Sequence, residues 1–283
     1  MEVTNIETAV LGSAVDAASL PAQVGARELD ISSVVVKIHT DEGITGLGES
    51  FYRSEENNQF LAQSIDAMGR HVIGKDPQNV KDIWHELYLH VKRAGAYGAL
   101  SAIDEALWDI IGKHAGLPVY QLLGGQTGTV NAYATFPVDK EADELVEYAH
   151  WLNDKGFEAM KIGAGFGVEE DRHRIRTITD GSPDGFGLAI DANTSYDYTD
   201  ARAVAKTASE YELEWFEEPI AHTDIQGQSE LNNSVSVPIS GYQTHTPHYP
   251  ALDHLEANAL DIYQPSVDYV GGITGAMRVA SLV

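Results

Sequence analysis

From Val130 onward, short apolar runs alternate with amphipathic stretches, and no other feature restricts the possible folds as strongly. The runs fall near 130–135, 158–162, 187–191, 213–216, 236–240 and 260–264. Between them lie segments of helical character, such as Lys140 to Lys155 and Asp200 to Tyr211. Strand–helix alternation predicts an α/β architecture with a parallel sheet or a (β/α) barrel. In such barrels the side chains that carry chemistry stand at the C-terminal ends of strands. The residues that follow each apolar run are therefore the ones to inspect.

The N-terminal part has a different pattern. Residues 1–52 read as strands and turns. Ile31 to Thr40 is rich in β-branched residues, Asp41-Glu42-Gly43 is a turn signal, and Ile44 to Glu49 completes an expected hairpin. Residues 55–115 read as helices. Within Ala99 to Ala115, the residues Leu100, Ile103, Leu107, Ile110 and Ile111 form one stripe at helical spacing. Gly116-Leu117-Pro118 stops that helix, and Leu122-Leu123-Gly124-Gly125 marks a junction. The expected organisation is an α+β domain over 1–126 and barrel units over 127–283.

Composition narrows the function classes. Lys and Arg total 18 against 43 Asp and Glu, a net charge of −25. Such a surface repels nucleic acid and anionic lipid, so neither is an expected partner. The acids are spread along the chain, which suits a protein kept in concentrated salt and gives a halophilic expectation. There is no Cys, which excludes disulfides and thiolate metal sites. The first 26 residues lack Lys and Arg, so a basic signal region is missing. No apolar run approaches the roughly 20 residues of a membrane span. The expected location is cytoplasmic.

Three successive apolar runs end in oxygen donors. Leu188-Ala189-Ile190 leads to Asp191-Ala192-Asn193, and Leu213 to Phe216 leads to Glu217-Glu218-Pro219. Val237 to Ser240 leads to Gly241-Tyr242-Gln243. A single Asp at a strand end is more often a cap or loop residue. Three at successive strand ends suit a hard cation such as Mg²⁺.

These motifs carry a resemblance. Ile190 to Asn193, Trp215 to Pro219 and Gly271-Gly272-Ile273-Thr274 resemble the third-, fourth- and sixth-strand signatures of the mandelate racemase and muconate-lactonizing enzyme family of the enolase superfamily. Ala102 to Asp109 and Gly116 to Gly125 resemble the end of that family's N-terminal capping domain. The resemblance spans essentially the whole chain. It implies a capping domain followed by a (β/α) barrel, of which about six of eight strands are expected here, incomplete at the C-terminus. It further implies Asp191, Glu217 and Gln243 as Mg²⁺ ligands, Asn193 in the substrate site, and Lys161 as the catalytic contact to a substrate carboxylate or enolate. The implied reaction is proton abstraction α to the carboxylate of a hydroxy or sugar acid, giving a lyase or isomerase, with acid-sugar dehydration foremost. A small carboxylic acid is the expected partner, and self-association into a homo-oligomer is expected.

Several residues depart from the family pattern. Gly163 stands where a second Lys is usual after Lys161-Ile162. Gln243 replaces a carboxylate, and Ser266 follows Pro265 where an Asp is common. His245 and His248, just beyond Gln243, are candidate substitute bases, although a loop His is more often solvated; His222 has the same status. Glu218 is expected to support the ligands. Gly163-Ala164-Gly165-Phe166-Gly167 opens a helix and invites an anion-binding reading. It lacks the third Gly of a dinucleotide loop because Val168 stands there, so only a phosphate or carboxylate contact by its amides remains open. These departures support an alternative: a non-catalytic member that keeps the fold and binds an acid.

Overall fold

The computed structural model describes residues 1–15, 29–52, 54–126, 128–135, 140–245 and 250–283. His248 and residues 16–28 lie outside the described residues. No described helix is long and apolar enough to cross a membrane.

The N-terminal unit begins with an antiparallel sheet of β1 (Val3–Val15), β2 (Leu29–Thr40) and β3 (Thr45–Ser50). Asp41 to Ile44 form the turn between β2 and β3, as the hairpin signal indicates. Val34, Val36 and Ile38 alternate along β2 and are fully buried, so one face of the sheet is core. Helices α1 (Glu55–Gly69) and α3 (Tyr97–Ala115) cover that face, and α2 (Val80–Ala94) packs on α3. The stripe on α3 supplies Leu100, Ile103, Leu107 and Ile110 to this core, beside Leu61, Ile65, Trp84 and Leu87. Gly46 and Gly48 explain how closely α3 lies on β3. A Cβ at either would stand 2.0 Å from a backbone carbonyl oxygen of α3, that of Ala106 or Ala102. The short helix α4 (Val119–Leu122) ends this unit.

The second unit is a parallel six-stranded sheet in sequential order. Its strands are β4 (Ala134–Thr135), β5 (Ala159–Gly163), β6 (Gly187–Asp191), β7 (Phe216–Glu217), β8 (Ile239–Gly241) and β9 (Ile262–Tyr263). The crossovers are α5 (Ala142–Asp154), α6 (Val168–Gly181), α7 (Tyr198–Glu210), α8 (Ile225–Asn232) and α9 (Pro250–Ala257). Two more helices follow β9: α10 (Val267–Val270) and α11 (Gly272–Ala280). Each apolar run of the sequence overlaps one of these strands. Met160, Ile162, Leu188, Ile190, Phe216 and Ile239 form the strand side of the core, against Leu145, Ile175, Val204 and Leu231 from the helices.

The two units meet where α3 grips the turn between α10 and α11. Ser101 Oγ accepts from the backbone N–H groups of Gly271 and Gly272 at 3.2 and 3.0 Å. Asp104 Oδ2 accepts from Thr274 N at 2.8 Å. Trp84 Nε1 donates to Gly271 O at 2.7 Å, and Trp108 Nε1 to Thr274 Oγ1 at 3.0 Å. Gly272 has φ +71°, and a Cβ there would stand 2.5 Å from Asp104 Oδ2. The Gly-Gly pair thus has a double cause, a left-handed backbone and a helix side chain pressed against it.

Two carboxyls at this contact are pushed toward neutrality. Burial raises Asp104 to about 7, against the hydrogen bonds from Thr274 and the charge of Arg278. Burial raises Glu105 to about 8, opposed by the N–H of Glu49 and reinforced by the charges of Asp268, Asp104 and Glu49. A folded-state pKa above the ordinary value means that the native state holds protons the unfolded chain has released. That contribution is complete below the ordinary carboxylate range and is lost as pH rises through about 7 to 8. Stability to urea should therefore fall between pH 5 and pH 9, and Glu105→Gln should flatten the decline. An identical decline in the variant would show that Glu105 does not hold its proton.

Candidate active site

The register of the parallel sheet puts Gly163, Asp191, Glu217 and Ser240 side by side at the strand ends. Lys161 lies two residues earlier on β5, and its side chain is long enough to reach that row. Its Nζ donates to Asp191 Oδ2 at 3.1 Å and to Glu217 Oε1 at 2.7 Å. The three side chains are 14%, 13% and 2% exposed, so this is an ion cluster largely withdrawn from water. Removing one partner of such a cluster strands a charge and costs about 3–5 kcal/mol.

Each carboxylate has further partners. Asp191 Oδ1 accepts from Asn193 N at 2.9 Å. Glu217 Oε2 accepts from Trp215 Nε1 at 3.0 Å and from Gln264 Nε2 at 2.9 Å. Glu218 adds a third buried carboxyl, and its Oε1 has no hydrogen-bond partner. Burial, then the charges of Asp191 and Glu217, raise Glu218 to about 7. Burial and then Glu217 also raise Asp191, while Lys161 holds it down. For Lys161, burial acts to lower the pKa, but the hydrogen bond and charge of Glu217 and the charge of Asp191 prevail and raise it. The arrangement is a cation-demanding carboxylate pair with one internal ammonium.

Backbone strain converges on the same place. Of the six described non-glycine residues with positive φ, Glu212 and Asn258 lie elsewhere, while Asn193, Thr194, Glu218 and Tyr242 have φ of 46°, 61°, 40° and 83°. They follow β6, β7 and β8 directly. Left-handed backbone costs a non-glycine residue about 1–2 kcal/mol and gathers at functional sites. Here it is held by bonds between adjacent strand ends, such as Thr194 N to Glu218 O at 2.7 Å and Glu218 N to Ser240 O at 2.9 Å.

The remaining sequence candidates take several positions. Asn193 and Gln243 are exposed; Asn193 follows β6, and Gln243 stands two residues past the end of β8. His245 is not a solvated loop residue: it is 9% exposed, its ring stacked on Tyr242 at 4.5 Å and edge-on to His222 and His254 at 5.0 and 4.8 Å. Burial, then the neighbouring His254 and His222, lower it to about 4, so the imidazole is neutral. Ser266 Oγ donates to Asp268 Oδ2 at 3.1 Å. Gln264 was missed by motif reading, although the strand-end rule applied to β9 points to it. Among the described residues, no three His, Cys, Asp or Glu side chains are grouped to hold a metal ion.

The glycine loop before α6 does not await an anion, because the chain supplies its own. Asp171 Oδ2 accepts from Gly165 N at 2.8 Å and Phe166 N at 3.1 Å, and also from the Tyr196 hydroxyl. Asp171 is 2% exposed and lies in the first turn of α6, where a carboxylate is favoured by the helix dipole. Asp171→Ala removes the acceptor shared by the Gly165 and Phe166 N–H groups and the Tyr196 hydroxyl. It should cost about 2–4 kcal/mol in chemical denaturation; a loss below about 1 kcal/mol would mean that water replaces the carboxylate.

The fold agrees with comparisons to known proteins. Residues 6–124 match the family model of the mandelate racemase/muconate lactonizing enzyme N-terminal domain, and residues 144–283 match the enolase C-terminal domain-like model. The chain is 33% identical to D-galactarolactone cycloisomerase of Agrobacterium fabrum, over 100% of this chain and 75% of the relative. It is 29% identical to arabinonate dehydratase of Saccharolobus solfataricus, over 91% of this chain and 71% of the relative. A racemase from Streptomyces coelicolor with bound magnesium superposes with a TM-score of 0.90 at 27% identity, covering 99% of this chain and 80% of the other. The chain belongs to the mandelate racemase and muconate-lactonizing enzyme family of the enolase superfamily.

Proposed function

We propose that the protein is a Mg²⁺-dependent lyase or isomerase that removes the proton α to the carboxylate of a hydroxy or sugar acid, with dehydration of an acid sugar as its reaction. The observation that carries this reading is Lys161 held between Asp191 and Glu217 at the ends of β5, β6 and β7. Similar proteins act on such substrates by their names: a galactarolactone cycloisomerase, an arabinonate dehydratase and an L-talarate/galactarate dehydratase.

The donor chemistry fits Mg²⁺. Asp191 and Glu217 are hard oxygen donors already sharing one cation, and the amide oxygen of Gln243 is the third. When bound, Mg²⁺ supplies positive charge that stabilises the negative charge developing on the substrate carboxylate. The other work falls to the chain itself. Lys161 Nζ contacts the substrate carboxylate; a cation held by Asp191 and Glu217 would replace Lys161 as their counter-charge and lower its pKa, and the neutral amine so formed would accept the α-proton. Asn193 lines the substrate side of β6, and its backbone N–H holds Asp191 in place. Burial of the cluster keeps water from competing for these charges.

A second reading has a specific observation in its favour. Lys161 already neutralises part of the negative charge of both carboxylates, Gln243 brings no charge, and Gly163 cannot move a proton. A non-catalytic member that binds an acid without turning it over fits those facts. Exchange of the α-proton in D₂O, followed by NMR over a panel of sugar acids with Mg²⁺, separates the two. The enzyme reading expects exchange in the wild type and a loss of about 10²–10⁴-fold in Lys161→Ala. No exchange with any acid, although an acid binds, favours the non-catalytic reading.

The cation site is tested separately by calorimetry. Gln243→Glu adds a full negative charge to the donor set and should tighten Mg²⁺ binding; unchanged or weaker binding removes Gln243 from the ligands. Lys161→Met removes the competing ammonium and should also tighten Mg²⁺ binding, even as it abolishes proton exchange.

A further inference from the structure

The two oxygens of Glu217 are treated differently. Oε1 faces Lys161 Nζ at 2.7 Å, whereas Oε2 accepts from Trp215 Nε1 at 3.0 Å and Gln264 Nε2 at 2.9 Å. Both donors of Oε2 are neutral. They fix the plane of the carboxylate without cancelling its charge, which stays available to a cation on Oε1.

Both donors are themselves held in place. The Trp215 ring meets Tyr133 edge-on, with centroids 4.9 Å apart and planes at 72°. Gln264 is anchored by its backbone, whose N–H donates to Gly241 O at 2.8 Å. Its amide can donate to Glu217 in one orientation only, and that orientation leaves Oε1 of Gln264 buried without a hydrogen-bond partner. An orphaned buried carbonyl is unfavourable, and an apolar side chain would avoid it. The useful half of this side chain is therefore its N–H group, spent on Glu217.

We infer that Trp215 and Gln264 are positioning residues that keep Oε2 of Glu217 for the protein and present Oε1 alone to a cation. This rests on the reading of Glu217 as a cation ligand, and it adds how that ligand is aimed. Groups that orient a ligating carboxylate typically matter about 10–100-fold in metal affinity. Lys161 marks the face that Oε1 presents, and the indole and the amide close the opposite face.

The test uses the whole chain with Mg²⁺ alone as the probe. In a ¹H–¹⁵N spectrum, the indole N–H of Trp215, assigned through its proximity to Tyr133, should resonate downfield as a carboxylate-bonded proton. It should stay there when Mg²⁺ saturates the protein. By calorimetry, Trp215→Phe and Gln264→Leu should each weaken Mg²⁺ binding about tenfold. If Trp215→Phe does not fold, Gln264→Leu and the wild-type spectrum still decide. Unchanged affinity in the folded variants, or movement of the indole resonance to the free position on Mg²⁺ binding, overturns the inference while leaving Glu217 a ligand. Glu217→Gln that binds Mg²⁺ as well as the wild type removes the ligand reading itself, and this inference with it.

Discussion

Two carboxylates buried side by side cannot remain charged without a cation, and the site is arranged around that fact. Parallel pairing of β6 with β7 sets Asp191 beside Glu217. Little water reaches them, since their side chains are 13% and 2% exposed. Their mutual repulsion must be met by positive charge, and Lys161 provides it. A charge pair that needs an outside partner is also a charge pair that can bind one. The same electrostatic demand that makes Lys161 structural makes Asp191 and Glu217 suitable for Mg²⁺.

The site depends on the N-terminal unit through geometry of another kind. The clasp of Ser101, Asp104, Trp84 and Trp108 on Gly271 to Thr274 fixes the chain just after β9. Gln264, at the end of β9, contacts Glu217 from that side. The glycines at 46, 48, 271 and 272 let helix and backbone approach closely enough to make this contact. Without them the capping helix α3 would stand off from both β3 and the α10–α11 turn.

Much of the fold was legible because its signals are local. Alternation of apolar runs located all six parallel strands, and the helical stripe of Ala99 to Ala115 located the capping core. The strand-end rule singled out Asp191, Glu217 and Gln243, and the family resemblance added Lys161; the structure joins Lys161, Asp191 and Glu217 and leaves Gln243 exposed beyond β8. What escaped the sequence depends on contacts across the fold. No local pattern shows that Asp171 satisfies Gly165 and Phe166, because that requires knowing how the loop turns back on α6. His245 reads as a loop residue until Tyr242 and His254 are packed on it. The partnership of Gln264 with Glu217 joins two strands 47 positions apart in sequence.

A chain with so many acids buries some of them, and this one answers the difficulty in three ways. Asp171 is satisfied by peptide N–H groups and a tyrosine hydroxyl, which suits a carboxylate that only holds a loop. Asp104 and Glu105 are raised toward neutrality by burial, which suits a contact between domains. Asp191 and Glu217 are matched instead to a cation on a side chain that can move. Peptide donors cannot be exchanged for a metal ion, and a proton shared within a packed interface leaves no opening for one. An ammonium at the end of four methylenes can withdraw and leave its oxygens to another cation. The third arrangement is therefore the one from which metal-assisted acid–base chemistry can be built, and it is the one found where the strained strand ends converge.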